Sequence, residues 1–461
     1  MADAARALLL DIEAYCRRCA IAESTFGRRA VNDGKFVARL RGGKGMTMAT
    51  LERVQNFMGV ESASSGTEEF NATAPLAAPA RSPIQNGAPR GAGFRFYDNR
   101  QKYLLFVNTC SEKWVVAERV GMELAQIRPK PPALRVFDAG VGDGTVLARV
   151  LRSMHHRFPT LPFYVVGKEI SLEDVRLTLE KLSDRFFEHP ATVLVITNLY
   201  YGEAPRLMPR SLAAAASLNW NEVALTGTTA HEFDEQIRGL QPLLDEGWQT
   251  QISPTTGKLR YERPSVLILY REDHKFLLDS VIPRPGQTEA NYDLVIASQP
   301  YRARASTEAK AKSVLAPLAR SLAPGGRLLG IHSYGRDPAL EIIRKLWPEE
   351  NPFQVGRHEV LNALKQELRS ERDLKFNAYS DQRAIFRYEM HTLPSEIGDG
   401  IGTSTLFAAW NAAIYVAQIE EERLEKALAN TAYLAATREV LQKHGGLWFL
   451  DESYVVSRRR P

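Results

Sequence analysis

The pattern of apolar and polar positions changes character twice along the chain. Over residues 3–18, Ala5, Leu8, Leu9, Ile12 and Tyr15 fall on one stripe at helical spacing, which predicts a helix. A short helix is expected over 22–30, with Ser24 or Thr25 near its start. Asn32-Asp33-Gly34 reads as a turn. Lys35 to Arg41 then places Phe36, Val37 and Leu40 on an inner face and Lys35, Arg39 and Arg41 on an outer one. Gly42-Gly43 stops that helix, and Thr47 or Thr50 is placed to cap a last one through Met58. A small all-α N-terminal domain over 1–58 is therefore expected. Residues 59–92 are rich in Ala, Pro, Ser, Gly and Thr, have few large apolar side chains, and read as a flexible linker.

From 93 to 461 the pattern alternates between short apolar runs and helical stripes. Strands are expected at 134–139, 163–168, 192–199, 265–270, 292–297 and 327–333. Helices are expected at 145–157, 171–187, around 231–246, and at 309–322 and 338–347. Repeated strand–helix units predict an α/β fold, a doubly wound, mostly parallel sheet covered on both faces. The stretch 201–264 reads as an insertion, and about 350–461 as a C-terminal extension. There, runs at 383–392 and 447–457 flank helices at about 404–417 and 420–443 and suit an antiparallel edge.

Charge and cysteine usage narrow the picture. Of the net +5, residues 1–58 carry +4, from ten Lys/Arg and six Asp/Glu. A basic head before a near-neutral body suits a nucleic-acid contact unit; a solvated helix face is the plainer reading. The three cysteines, Cys16, Cys19 and Cys110, are too few for a disulfide framework, which points to a reducing cytoplasm. Cys16-x-x-Cys19 has no second pair and no histidine at ligand spacing, so no metal site is expected. No apolar run approaches the ~18 residues that span a membrane, and the acids in the first 15 residues speak against a secretory signal.

The chemistry concentrates where the 134–138 strand meets Asp138-Ala-Gly140-Val-Gly142-Asp-Gly144-Thr145. Glycines at alternate positions let a ligand approach the backbone and free the first N–H groups of the helix that follows. The dinucleotide pattern differs in spacing, and Asp138 and Asp143 would repel a pyrophosphate. No Gly-Lys-Ser/Thr closes the loop, which excludes the P-loop. Two acids beside the glycines suit a cationic ligand.

This loop resembles the first motif of the class I S-adenosylmethionine-dependent methyltransferases. Phe163 to Glu169 resembles their second strand, whose terminal acid bonds ribose hydroxyls; Glu169 lies 25 residues past Gly144. Asn198 ends the third strand, where the family often contacts adenine. Asp293 to Tyr301 resembles the fourth motif, and Leu322 to Leu329 the approach to the fifth strand. The resemblance covers roughly 94–345. It implies a class I methyltransferase-like fold, S-adenosylmethionine as cofactor, and Asp138, Gly140, Gly142, Gly144, Glu169 and Asn198 as its binding residues. The N-terminal helices resemble the lambda-repressor-like helix-turn-helix, which implies DNA binding through Lys35, Arg39 and Arg41 on a recognition helix at 35–41.

Ser298-Gln-Pro-Tyr301 resembles the Asp/Asn/Ser-Pro-Pro-aromatic signature of amino-methyltransferases, with Gln299 in place of the first proline. The resemblance implies Ser298 and Tyr301 as catalytic residues and an amino nitrogen as acceptor, without naming the acceptor. Segments 97–103 and 108–113 are expected near the acceptor, Arg302 and Arg304 suit an anion or solvent, and His332 is a base or a structural histidine. The functional expectation is a methyltransferase with a DNA-binding head. The alternative is a regulator whose second domain senses a cofactor or binds a partner.

Overall fold

A computed structural model describes residues 100–252, 259–392, 396–397 and 400–460, and, nearer the start, 22–31, 33–42 and isolated positions between 8 and 54. The 59–92 linker lies outside the described residues, as do Cys19 and residues 97–99. The chain divides into two units, Met1–Pro89 and Arg90–Pro461.

In the first unit, helix α1 (Glu23–Val31) and helix α2 (Phe36–Arg41) flank the turn at 33–35. The described positions among 8–16 are helical. Ile12, Phe26, Phe36, Val37, Leu40 and Val54 form its core, so the expected inner face of α2 is the one buried.

The second unit is built on one ten-stranded sheet. Its strands are β1 (Leu134–Asp138), β2 (Phe163–Lys168), β3 (Thr192–Thr197), β4 (Asn219–Leu225), β5 (Ser265–Arg271), β6 (Tyr292–Ser298), β7 (Leu322–Ser333), β8 (Leu374–Asn377), β9 (Ile385–Glu389) and β10 (Trp448–Arg458). Across the sheet they run β8-β10-β7-β6-β1-β2-β3-β5-β4, with β9 also paired to β10. Strands β3, β2, β1, β6 and β7 are mutually parallel. The residues of β1, β2 and β3 are buried on both faces, as crossover helices on each side require.

Two features depart from the sequence expectation. The 265–270 run forms β5, antiparallel to β3. The 201–264 insertion returns the chain to the sheet end where β3 finishes, so β5 must run back. The 447–457 run is no edge strand: β10 is inserted between β7 and β8, antiparallel to both. Only β9 takes the expected outer place.

Helices α3 (Arg100–Thr109), α4 (Glu112–Leu124), α5 (Thr145–Arg157) and α6 (Leu172–Glu188) precede or follow the first strands. Leu147, Val150, Leu151 and Met154 of α5 bury the apolar stripe seen in the sequence against β1 and β2. Further on, α7 (Ala230–Arg238) lies in the insertion, with α8 (Pro338–Leu346) and α9 (Arg357–Glu367) beyond β7. Helices α10 (Thr403–Ala417) and α11 (Ala432–His444) pack with α3 and α8 around a third core.

Candidate active site

The strand order reverses between β2-β3 on one side of β1 and β6-β7 on the other. In open α/β sheets ligands bind at such a switch point, beyond the carboxyl ends of the strands. A cavity of about 270 Å³ lies there. Its walls are the loops after β1 (Ala139, Gly140, Gly142), β2 (Glu169, Ile170, Ser171) and β6 (Ser298 to Arg302), with Lys168 and Tyr201 between them. Tyr103 of α3, Lys113 of α4 and Tyr415 of α10 complete it.

The glycine loop is built for close approach. Gly142 and Gly144 adopt φ of +57° and +79°, a left-handed backbone that favours glycine. A Cβ on Gly144 would also meet Thr178 at 2.7 Å. Gly140 is different: a Cβ there would meet nothing within 4 Å, because the space belongs to the cavity.

Glu169 is held against this loop. Its Oε2 accepts from Gly142 N at 2.9 Å, and its Oε1 accepts from Ile170 N and Ser171 N at 2.8 and 2.9 Å. Ser171 Oγ caps α6 by accepting from Asp174 N. Trp248 of the insertion donates its indole N–H to the Glu169 carbonyl at 2.8 Å, so the insertion braces the acid's backbone.

Asp138 is buried at the end of β1 and accepts from Gly140 N at 3.2 Å. Burial pushes its carboxyl up to about 7, with Glu169 adding to the rise and Gly140 N and Lys113 opposing it. Asp143 faces away from the cavity lining, into bonds with Tyr103 Oη at 3.0 Å and Lys181 Nζ at 2.6 Å. Burial depresses the Lys113 ammonium, but Glu112, Tyr415 and Asp143 outweigh it and hold the group above its usual range.

On the far wall, Ser298 lines the cavity, and its hydroxyl has no hydrogen-bond partner among the described residues. Gln299 has φ +49°, which explains the departure from the Pro-Pro signature, since proline is fixed near −65°. The Gln299 amide donates to Ser333 Oγ at 3.1 Å. The Tyr301 ring lines the cavity, while its hydroxyl sits 2.7 Å from His332 Nδ1 and 2.9 Å from Tyr454 Oη. His332 Nε2 is 2.8 Å from Glu452 Oε1, and Arg357 Nη1 donates to Glu452 Oε2 at 2.6 Å. Burial drives the Tyr301 phenol well above its usual range, so it stays protonated. His332 therefore buttresses Tyr301 from behind with both ring nitrogens engaged.

Of the residues singled out in the sequence, the structure brings Gly140, Gly142, Glu169, Ser298 and Tyr301 to one cavity, with Asp138 and Gly144 immediately behind it. It gives Asn198 a different place. The Asn198 amide donates to the carbonyls of Gly247 and Arg263 at 2.9 and 3.0 Å and accepts from Ser265 N at 2.8 Å. The residue clamps the returning end of the insertion, buried and outside the cavity lining, with both amide hydrogens committed. Lys168, Asp174, Tyr201 and Tyr415 also line the cavity, though no local motif marked them. For Lys168 a signal existed: a lysine in the last position of an otherwise apolar buried strand.

The outer face of α2 does not present three free cations. Arg41 pairs with Glu13 and Glu23 at 2.7 and 2.6 Å, and Arg39 pairs with Asp33. Lys35 is exposed, and its backbone N–H donates to Asp33 at 2.9 Å. Two of the three cations expected on that face are thus held in ion pairs within the unit. Cys16 and Cys110 are buried and form no disulfide, and no group of three metal-ligating side chains occurs among the described residues. Nor is any described helix long and apolar enough to cross a membrane.

No protein-family model matches the chain, and no curated protein matches it. Among solved structures, a geranyl diphosphate methyltransferase in complex with S-adenosylmethionine is similar to it at 12% identity, covering 74% of this chain and 85% of that one, with a TM-score of 0.27. PKMT2 from Rickettsia typhi in complex with AdoHcy matches at 10% identity, over 74% of this chain and 52% of that one, with a TM-score of 0.27. The rRNA methyltransferase aviRa from Streptomyces viridochromogenes matches at 13% identity, over 53% of this chain and 76% of that one, with a TM-score of 0.18.

Proposed function

We propose that the second unit is an S-adenosylmethionine-dependent methyltransferase whose acceptor approaches over Ser298 and Tyr301. The observation that carries this reading is the pairing of Glu169 with the glycine loop: a carboxylate 2.9 Å from Gly142 N, just past the end of the strand next to β1, beside the open space at Gly140. Glu169 Oε2, which accepts only from Gly142 N, keeps a lone pair for a ribose hydroxyl, and the open glycine admits the ligand's chain. Ile170 offers an apolar surface to a flat base, Lys113 a cation for a carboxylate, and Asp138 an acid for an ammonium. When bound, S-adenosylmethionine supplies a methyl group whose bond to sulfur breaks as the acceptor's lone pair takes the carbon, the bonding pair remaining on sulfur.

The chain's own task is to hold and orient. The Ser298 hydroxyl is free to accept from an amine, and the Tyr301 ring, fixed by His332 and Tyr454, offers a face to a flat substrate and to developing positive charge. An amino nitrogen is the acceptor atom these groups suit. No side chain need form a covalent intermediate.

Calorimetry with S-adenosylmethionine tests the cofactor assignment. Glu169→Ala should weaken binding by about tenfold or more, the loss of ~1.5–3 kcal/mol expected for bonds to a charged group. Unchanged affinity in that variant would remove Glu169 from the site; no binding by the native protein would remove the reading. Labelled methyl transfer into fractionated extract then identifies the acceptor, and the methyl's position decides between nitrogen and other atoms. With that acceptor, Tyr301→Ala should lower kcat and kcat/KM together while cofactor affinity holds.

Asp138 adds a pH dependence with a definite sign. Its folded carboxyl titrates at about 7, against ~3.9 for an unperturbed aspartate. Between those values the folded state binds the extra proton, so this group's contribution to stability falls as pH rises. Binding of a cationic ligand favours the ionised form and should strengthen as pH rises through about 7. Asp138→Asn should flatten that profile; a native profile with no rise would contradict the role.

A further inference from the structure

Lys168 is the buried polar group in the cavity that the proposed cofactor does not use. It ends β2 at 9% exposure, and its ammonium lies 4.8 Å from the centre of the Tyr201 ring. Among the described residues nothing accepts a hydrogen bond from it, and Glu169 acts on it only as a neighbouring charge. Tyr201 ties this spot to the catalytic wall, since its hydroxyl donates to the Pro300 carbonyl at 2.8 Å. The same wall carries Arg302, whose guanidinium is exposed and likewise has no partner among the described residues. Arg304, two positions on, is committed elsewhere: it bonds the carbonyls of Ala417 and Gln418 at 2.8 Å each and pairs with Glu350 at 2.6 Å. Lys113, the cation assigned to the cofactor carboxylate, stands at the glycine-loop end with Tyr103 and Asp143.

A buried ammonium without a hydrogen-bond partner costs stability, and such a group persists where a ligand completes it. Resting on the methyltransferase reading, we propose that Lys168 and Arg302 receive an anionic group of the methyl acceptor, a carboxylate or a phosphate. The acceptor is then an acid whose nucleophilic atom is presented to Ser298 and Tyr301 while its charged end is held between β2 and the β6 loop. Burial depresses the Lys168 ammonium, with Glu169 partly opposing. Anion capture therefore weakens at a lower alkaline pH than an exposed lysine would give.

The test uses the full chain saturated with S-adenosylhomocysteine. Inorganic phosphate and acetate are titrated separately, with chloride as control, and binding is read from the ligand-dependent rise in Tm. We expect saturable binding of one anion over the other, which names the group as phosphate or carboxylate. Lys168→Met should weaken it tenfold or more and Arg302→Gln severalfold, with S-adenosylhomocysteine affinity within about twofold of native. Absence of saturable binding by either anion overturns the proposal and leaves the methyltransferase reading standing. A Lys168→Met variant that loses S-adenosylhomocysteine tenfold also overturns it, by moving the lysine to the cofactor. Failure of the native chain to bind S-adenosylhomocysteine overturns the methyltransferase reading itself, and this proposal with it.

Discussion

Gly140→Leu should abolish S-adenosylmethionine binding while leaving the fold intact. The Gly140 backbone is not in the left-handed region, and a Cβ there touches nothing within 4 Å. A leucine is therefore tolerated by the protein and projects into a cavity of about 270 Å³. We expect affinity to fall about a hundredfold or more, some 2.7 kcal/mol. The Tm should stay near native, as for a surface change that breaks no feature. Calorimetry and a thermal melt on the same sample check both halves. Gly144→Ala supplies the contrast: at φ +79° and 2.7 Å from Thr178, it should lower stability first and binding only as a result. If Gly140→Leu binds like the native chain, the ligand does not pass over the loop.

The second large effect is on stability. Glu452→Leu should cost about 3–5 kcal/mol, the range for removing one partner of a buried ion pair. The Glu452 and Arg357 side chains are 2% and 3% exposed, and Glu452 also accepts from Arg357 N at 2.8 Å and meets His332. Losing the carboxylate leaves the Arg357 guanidinium with only Asp381 and the Ala378 carbonyl. Chemical denaturation checks the size. Burial would raise the Glu452 carboxyl, but His332 and Arg357 outweigh it and hold it below its usual range. Its stabilisation is thus fully present above the ordinary glutamate range and is lost as pH falls through the depressed value. The native protein should show an acid-destabilised arm that Glu452→Leu lacks. Because His332 anchors Tyr301, the variant should also release the Tyr301 ring from its fixed orientation.

What was legible in the sequence was local. β1, β2 and α5 begin and end where the apolar periods and the glycines place them, because their terminators lie within a few residues. The cavity's glycines and Glu169 were readable for the same reason. Direction was not readable for β5, since a strand buried on both faces has the same apolar run whichever way it points. The place of β10 was not readable either, because its partner in β7 is over a hundred residues away: Glu452 stands opposite His332. Asn198 illustrates a third limit. A polar residue at a strand end suits a ligand or a backbone clamp equally, and only the return of Gly247, Arg263 and Ser265 to its side decides between them. Tyr415 reaches the cavity from a helix that no loop motif marks.

The position of β10 also bears on how the protein is made. As the chain leaves the ribosome, β1 to β7 emerge and can pair among themselves long before β10 exists. Until then β7 presents an open row of backbone donors and acceptors along one side of a largely apolar strand, the kind of edge on which strands of other molecules pair. The nascent sheet then exposes that edge while Tyr301 has His332 beside it but still lacks its second support, Tyr454. Protection of this intermediate by a chaperone, or rapid arrival of the last strand, then governs yield. Recombinant production should be more sensitive to changes in β10 than the modest number of residues involved would suggest.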